Sequence, residues 1–321
     1  MKRSVLLLLC LALVLPAAFA GGAKASDGGQ DGKIYIPVVS KSFMHQWMQA
    51  VKAGVDQAAK DLGVEVAFVG PEDETMIDRQ IDILKTELSK NPVAVGLAAL
   101  DSQAAIPTLQ EAKARNIPVI AWDSGVASDI PVTTVTTDNA AAAGIAADKM
   151  AEAIGGRGKV AIVAMDQTSL NSIARRDGFL NAMKKYPGST VLEPQYGNGD
   201  HLRTTEIAKA VINGNPDLKG YFGANEGSAV GVINAVRELH KEGQIVVVGY
   251  DAGKIQLDAI RSGLMLGAVQ QNPVKMGYLT VEWAYRVAVK KETPPKIVDS
   301  GYVWADKSNL DSPEVKAVIY D

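Results

Sequence analysis

Asp123 and Asp251 occupy matching settings in the sequence. Each ends a short apolar run that closes on an aromatic residue, Asn116-Ile-Pro-Val-Ile-Ala-Trp122 before Asp123 and Gly243-Gln-Ile-Val-Val-Val-Gly-Tyr250 before Asp251. The two lie 128 residues apart, somewhat under half the chain. Other apolar runs end in the same kind of residue. Ser40-Lys41-Ser42-Phe43 precedes His45 and Trp47, Asp101-Ser102 ends a third run, and Ser124 follows Asp123. Further on come Thr137-Asp138-Asn139, Asp166-Gln167 with Asn171 and Arg175 after them, Asn225-Glu226, and Gln270-Gln271-Asn272. Carboxylates, amides, one guanidinium and aromatic faces suit a polyhydroxylated ligand. Each hydroxyl both donates and accepts, so Asp takes its proton while Asn, Gln and Arg supply donors. The C–H face of a sugar ring packs on an aromatic plane.

Asp and Asn at such places also serve as ordinary turn and helix-cap residues. The paired setting of Asp123 and Asp251 favours ligand contact for both, and Asn225, Gln271 and Arg175 follow them. Asp101, Ser102 and Asn139 read as caps. Trp47 falls on an apolar helical stripe, where core packing and ligand stacking are equally served, and Phe43 lies nearer the loop. The candidate ligand set is Phe43, Trp47, Asp123, Ser124, Asn171, Arg175, Asn225, Asp251 and Gln271.

Residues for catalysis are not assembled by any local motif. There is no G-x-S-x-G elbow, no G-x-x-x-x-G-K-[ST] loop and no G-x-G-x-x-G after a strand. Gly155-Gly156-Arg157-Gly158 precedes an apolar run and reads as a helix end and turn. His45, His201 and His240 are too scattered for a local metal motif, and the sole cysteine is Cys10. A binding protein is expected rather than an enzyme, with no cofactor and no metal.

The elements that hold these residues follow one pattern. Short β-branched and apolar runs at 34–39, 64–70, 93–98, 117–122, 159–164, 189–194, 219–224, 244–250 and 266–270 alternate with longer segments of helical spacing. Most runs are apolar without alternation, as parallel strands buried on both faces require. The fold class is therefore α/β, with two doubly wound parallel-sheet lobes. Ligands of such sheets sit beyond the strands' carboxyl ends, so two facing lobes aim both Asp side chains into one cleft.

Length and charge bound the rest. The 321 residues are 47% hydrophobic and 21% charged, enough for a core and about two domains. Lys2 and Arg3, the apolar run Val5–Leu15 and Ala18-Phe19-Ala20 read as a secretory signal peptide over 1–20, cleaved after Ala20. Residues 21–32 are a polar, Gly-rich tether. With 33 basic against 36 acidic residues and no basic block, nucleic acid is not an expected partner.

Taken in order, Trp122-Asp123-Ser124, Thr137-Asp138-Asn139, Arg175-Arg176-Asp177-Gly178-Phe179, Tyr221-Phe-Gly-Ala-Asn225, Val247-Val-Gly-Tyr-Asp251 and Gln271-Asn272-Pro273 resemble the ribose/galactose-binding type of periplasmic sugar-binding protein of ABC importers. The resemblance covers nearly all of 33–300. It implies the type I periplasmic binding protein fold, with a three-strand hinge near 137, 271 and 300. The lobes would be 33–137 plus 272–299 and 138–271 plus 300–321. It implies sugar contacts for Asp123, Asn225, Asp251 and Gln271. The expected partners are a monosaccharide and a membrane permease, for a monomeric protein in the periplasm; the alternative is a receptor that hands its ligand, including a furanose-type signalling molecule, to a chemoreceptor or sensor kinase. Ribose itself is not implied. Ribose binders place Arg after the first Asp and an Asn with paired Phe early in the first helix, where this chain has Ser124, His45, Trp47 and Met48. Their upstream ligand arginine falls on Ile173.

Overall fold

The computed structural model describes residues 34–42, 46–251 and 253–320. The expected signal peptide, the tether and Phe43 lie outside them. Helices and strands alternate in chain order: β1 (Tyr35–Val39), α1 (Gln46–Leu62), β2 (Glu65–Val69), α2 (Ile77–Ser89), β3 (Val95–Leu97), α3 (Ile106–Ala114), β4 (Val119–Trp122) and β5 (Thr133–Thr136). Then come α4 (Asn139–Ala153), β6 (Arg157–Ala164), α5 (Leu170–Met183), β7 (Gly188–Val191), β8 (Gln195–Tyr196), α6 (His201–Gly214), β9 (Leu218–Gly223) and α7 (Glu226–Glu238). The chain finishes with β10 (Val246–Tyr250), α8 (Lys254–Ser262), β11 (Met265–Gln271), α9 (Pro273–Ala288), β12 (Ile297–Asp299), β13 (Tyr302–Asp306) and α10 (Pro313–Lys316).

These elements form two sheets. The first runs β12-β5-β4-β3-β1-β2, all parallel. The second runs β13-β11-β10-β9-β6-β7, parallel except for the antiparallel edge strand β13. Each sheet is covered on both faces, which is why its central strands carry unbroken apolar runs. Helices α1 and α9 pack Trp47, Val51, Val55 and Met276 on one face of the first sheet. Leu84, Leu88 and Leu109 cover the other. In the second lobe the alanine-rich α4 and Phe179 cover one face, and α6, α7 and α8 the other.

The chain passes between the sheets after β5, after β11 and after β12. Four strands were not distinguished in the sequence. β5 lies in a Thr-rich stretch read as a link, and β8, β12 and β13 are short pieces at or off a sheet edge. Polar edge residues do not produce the buried-strand pattern.

Candidate functional site

The two Asp residues are placed alike. Asp123 follows β4 of the first sheet and Asp251 follows β10 of the second, both at the carboxyl end. Both have left-handed backbones, φ 53° and 74°, a conformation that costs a non-glycine residue energy. The turn is held by pairing the Asp N–H to the next strand, Asp123 to the Val135 carbonyl (2.9 Å) and Asp251 to that of Val269 (2.7 Å). Each carboxylate is thereby turned off its strand into a cavity between the lobes, lined by Lys41, Trp47, Met48, Glu74, Asp123, Met165, Asn171, Arg175, Asn225, Glu226, Asp251 and Gln271. The space between its walls is about 340 Å³, part of it open to solvent.

Asp123 is buried and densely served. Lys41 Nζ lies 2.7 Å from it, and Asn171 Nδ2 donates to both carboxylate oxygens at 3.0 Å. Lys41 follows β1 in the same lobe, whereas Asn171 belongs to α5 of the other, so this carboxylate ties the lobes together. Burial alone would lower the Lys41 pKa, but the charges of Asp123 and Glu74 outweigh it and the pKa rises. Asp251 is equally buried but is served by neutral groups, the Gln271 amide and the Glu226 backbone N–H. Gln271 Nε2 donates to it at 2.8 Å, while Thr137 Oγ donates to Gln271 Oε1 at 2.9 Å across the crossing between lobes. Burial pushes the Asp251 carboxyl up, and the Arg175 charge and the Gln271 hydrogen bond only offset it. Both carboxylates are thus desolvated. The lobes are closed on one another.

Arg175 is fixed before any ligand arrives. Its guanidinium lies 3.9 Å from the Tyr250 ring centroid, Nε donates to Asn139 Oδ1 at 2.7 Å and Nη1 to the Ala224 carbonyl at 3.2 Å. Asp138, not Asn139, caps α4, accepting from the Ala141 N–H. Asn139 positions Arg175 instead, and also accepts from the Tyr250 hydroxyl. Asn225 uses its carbonyl oxygen to cap α7 through the Ser228 N–H, and its side chain still lines the cavity. Trp47 belongs to the core and to the cavity wall at once.

Of the candidates from sequence, Trp47, Asp123, Asn171, Arg175, Asn225, Asp251 and Gln271 converge on the cavity. Ser124 is fully buried outside the lining, its hydroxyl donating to the Ala99 carbonyl. Met48 and Met165 add apolar wall, and Lys41, Glu74 and Glu226 add charge that was not selected from the sequence. Three polar atoms in the lining are buried without a hydrogen-bond partner: Trp47 Nε1, Glu74 Oε2 and Arg175 Nη2. Buried polar groups are almost always satisfied, so two donors and an acceptor left open in one cavity await a ligand carrying both kinds of group.

The rim of the cavity is laced by helix ends. Glu226 Oε2, at the start of α7, accepts from the Trp47 N–H in the first turn of α1 at 3.3 Å, and from the Tyr320 hydroxyl at 3.1 Å. In return Gln46 Oε1 accepts from the Lys254 N–H that begins α8, at 3.3 Å. A Cβ at Gly253 would stand 2.9 Å from both Gln46 Oε1 and Glu226 Oε1. Helix starts from opposite lobes therefore satisfy one another's open N–H groups.

Among the described residues, no group of His, Cys, Asp and Glu is placed to hold a metal, and no helix is long and apolar enough to cross a membrane.

The model of the family described as periplasmic binding protein domain matches residues 36–292. A solute-binding protein of an ABC transporter from Agrobacterium radiobacter, solved with D-arabinose, is 33% identical, covering 90% of this chain and 99% of that one at a TM-score of 0.86. One from Agrobacterium vitis, solved with α-D-tagatopyranose, is 30% identical over 90% of this chain and 100% of its own, also at 0.86. The D-allose-binding periplasmic protein of Escherichia coli is 27% identical over 75% of this chain and 80% of its own.

Proposed function

We propose that this chain, which belongs to the periplasmic binding protein family, captures a monosaccharide in the cavity between its lobes and delivers it to the permease of an ABC importer. The observation that carries this reading is the trio of buried atoms without a hydrogen-bond partner, Trp47 Nε1, Glu74 Oε2 and Arg175 Nη2, in one cavity between the lobes. A sugar hydroxyl can accept from the indole and the guanidinium and donate to the carboxylate. Trp47, Met48 and Met165 offer apolar surface to the ring's C–H bonds.

The proposed role is binding without turnover, in line with relatives named as binding proteins. The binding residues are Trp47, Asp123, Asn171, Arg175, Asn225, Asp251 and Gln271, joined by Lys41 and Glu74. The moving bodies are 33–137 with 272–299 and 138–271 with 300–321, hinged where the chain crosses between sheets. Opening them would wet the Asp123–Asn171 tie and release the sugar. Export with cleavage after Ala20 would place the protein in the periplasm.

A thermal-shift screen of neutral pentoses and hexoses tests the reading. At least one should raise the melting temperature with a dose dependence following RT ln(1 + [L]/Kd). A flat response to every sugar would overturn it.

A further inference from the structure

The charges around the cavity differ in how fully they are used. Among the described residues two cations line it, Lys41 and Arg175, against four carboxylates, Glu74, Asp123, Glu226 and Asp251. Lys41 is spent on Asp123 at 2.7 Å, and Arg175 Nη2 lies 4.0 Å from the same carboxylate. Glu226 accepts from the Trp47 N–H and the Tyr320 hydroxyl. Glu74 is the exception, for its Oε2 is buried with no hydrogen-bond partner.

That oxygen has a place built for it. Glu74 reaches from the loop between β2 and α2 to the opposite lobe, where its Oε2 occupies the space a side chain at Gly199 would need. Gly199 has φ +74°, and Asn225 Nδ2 stands 3.9 Å from the same point. A glycine on one lobe therefore admits a carboxylate from the other, and holds it at the cavity with an acceptor unfilled. The balance of charge stays negative even with Asp251 protonated, the form its burial favours.

We propose that Glu74 makes the site selective for neutral or cationic polyols, an unmodified sugar or its amino derivative, and excludes sugar acids and sugar phosphates. This rests on the sugar-site reading above and adds the charge class of the ligand and the residue that sets it. A hydroxyl or ammonium group donates to the open oxygen. A ligand carboxylate or phosphate sets a further anion against a buried carboxylate oxygen that accepts no hydrogen bond, in a lining where acids outnumber bases, and like charges brought together on binding select against the wrong partner. An anion site would need Lys41 and Arg175 to form a fork, whereas Lys41 is held on Asp123 and Arg175, tied through Nε and Nη1, offers only Nη2.

The test uses one carbon skeleton in three charge states. The neutral sugar that binds most tightly in a screen, its amino-deoxy derivative and its carboxylate derivative are titrated calorimetrically into the wild type, E74Q and G199A. E74Q keeps the shape of the side chain, and a melting curve checks that each variant folds. The amino sugar is expected within about tenfold of the parent and the sugar acid roughly a hundredfold weaker. E74Q should shrink the gap between acid and parent by about tenfold or more, and G199A, by displacing the carboxylate, should shift the same ratio in the same direction. A sugar acid that binds the wild type as well as the parent does, or a ratio unmoved in E74Q, overturns the role of Glu74 and leaves the sugar site standing. Failure of every neutral sugar to bind overturns both.

Discussion

Asp123 and Asp251 sit at equivalent strand ends of the two lobes, share a left-handed backbone and pair their N–H groups to the neighbouring strand in the same way. Their side chains are treated differently. Asp123 has a lysine at 2.7 Å and an amide from the opposite lobe on both oxygens, whereas Asp251 has the Gln271 amide at 2.8 Å and a pKa raised by burial. One lobe thus holds a neutralised acceptor that already bridges the cleft. The other holds an acceptor served by neutral donors, the Gln271 amide and the Glu226 backbone N–H, to which a ligand hydroxyl would add. A repeated backbone motif has been fitted to two jobs by residues that lie elsewhere in the sequence.

The largest expected effect separates the two on stability without ligand. Asp123→Ala leaves Lys41 and the Asn171 amide buried without their acceptor, and breaking a buried pair costs about 3 kcal/mol or more. Asp251→Ala removes a carboxylate that burial already disfavours, so its cost should stay within about 1 kcal/mol. Chemical denaturation of the unliganded variants checks this. Equal losses in both would erase the distinction.

A second difference is one of pH. The folded-state pKa of Asp251 lies above its unfolded value, so its term favours folding at low pH and is lost as pH rises through the folded pKa. Sugar hydroxyls favour the ionised form and draw that pKa down. Binding should therefore release a proton, and affinity should fall as pH drops through the unliganded value. Calorimetry in buffers of differing ionisation enthalpy reads the proton directly, and Asp251→Asn should abolish the release.

Much of this was legible in the sequence, for definite reasons. The buried parallel strands betray themselves as unbroken apolar runs, and ligands of such sheets gather at strand ends, so the run ends that carry Asp123, Asn225, Asp251 and Gln271 could be found by position. Ser124 adjoins Asp123, but the turn at Asp123 sends its hydroxyl to the Ala99 carbonyl instead. Lys41, Glu74 and Glu226 stand in the lining for reasons of closure. A charged residue in a loop such as Pro71-Glu-Asp-Glu-Thr75, or an acid in a helix's first turn, is ordinary until the opposite lobe arrives. β5 and β13 were missed because edge and Thr-rich strands lack the buried signature.

Smaller effects probe how the lobes are held together and where the site ends. Gly253→Ala crowds Gln46 and Glu226 at the reciprocal helix ends and none of the proposed binding residues directly. A lost cap of about 1 kcal/mol would weaken binding about fivefold, chiefly in the dissociation rate, and stopped-flow release measures it. Ser124→Ala should leave affinity unchanged, which a single titration decides.

The most direct measurement is calorimetric titration of the tightest-binding neutral sugar into the wild type, Asp123→Ala and Asp251→Ala. Charge-assisted hydrogen bonds of about 1.5–3 kcal/mol to each carboxylate mean that both variants lose roughly tenfold to a hundredfold in affinity. Full affinity retained in both would contradict a sugar held between the two strand ends.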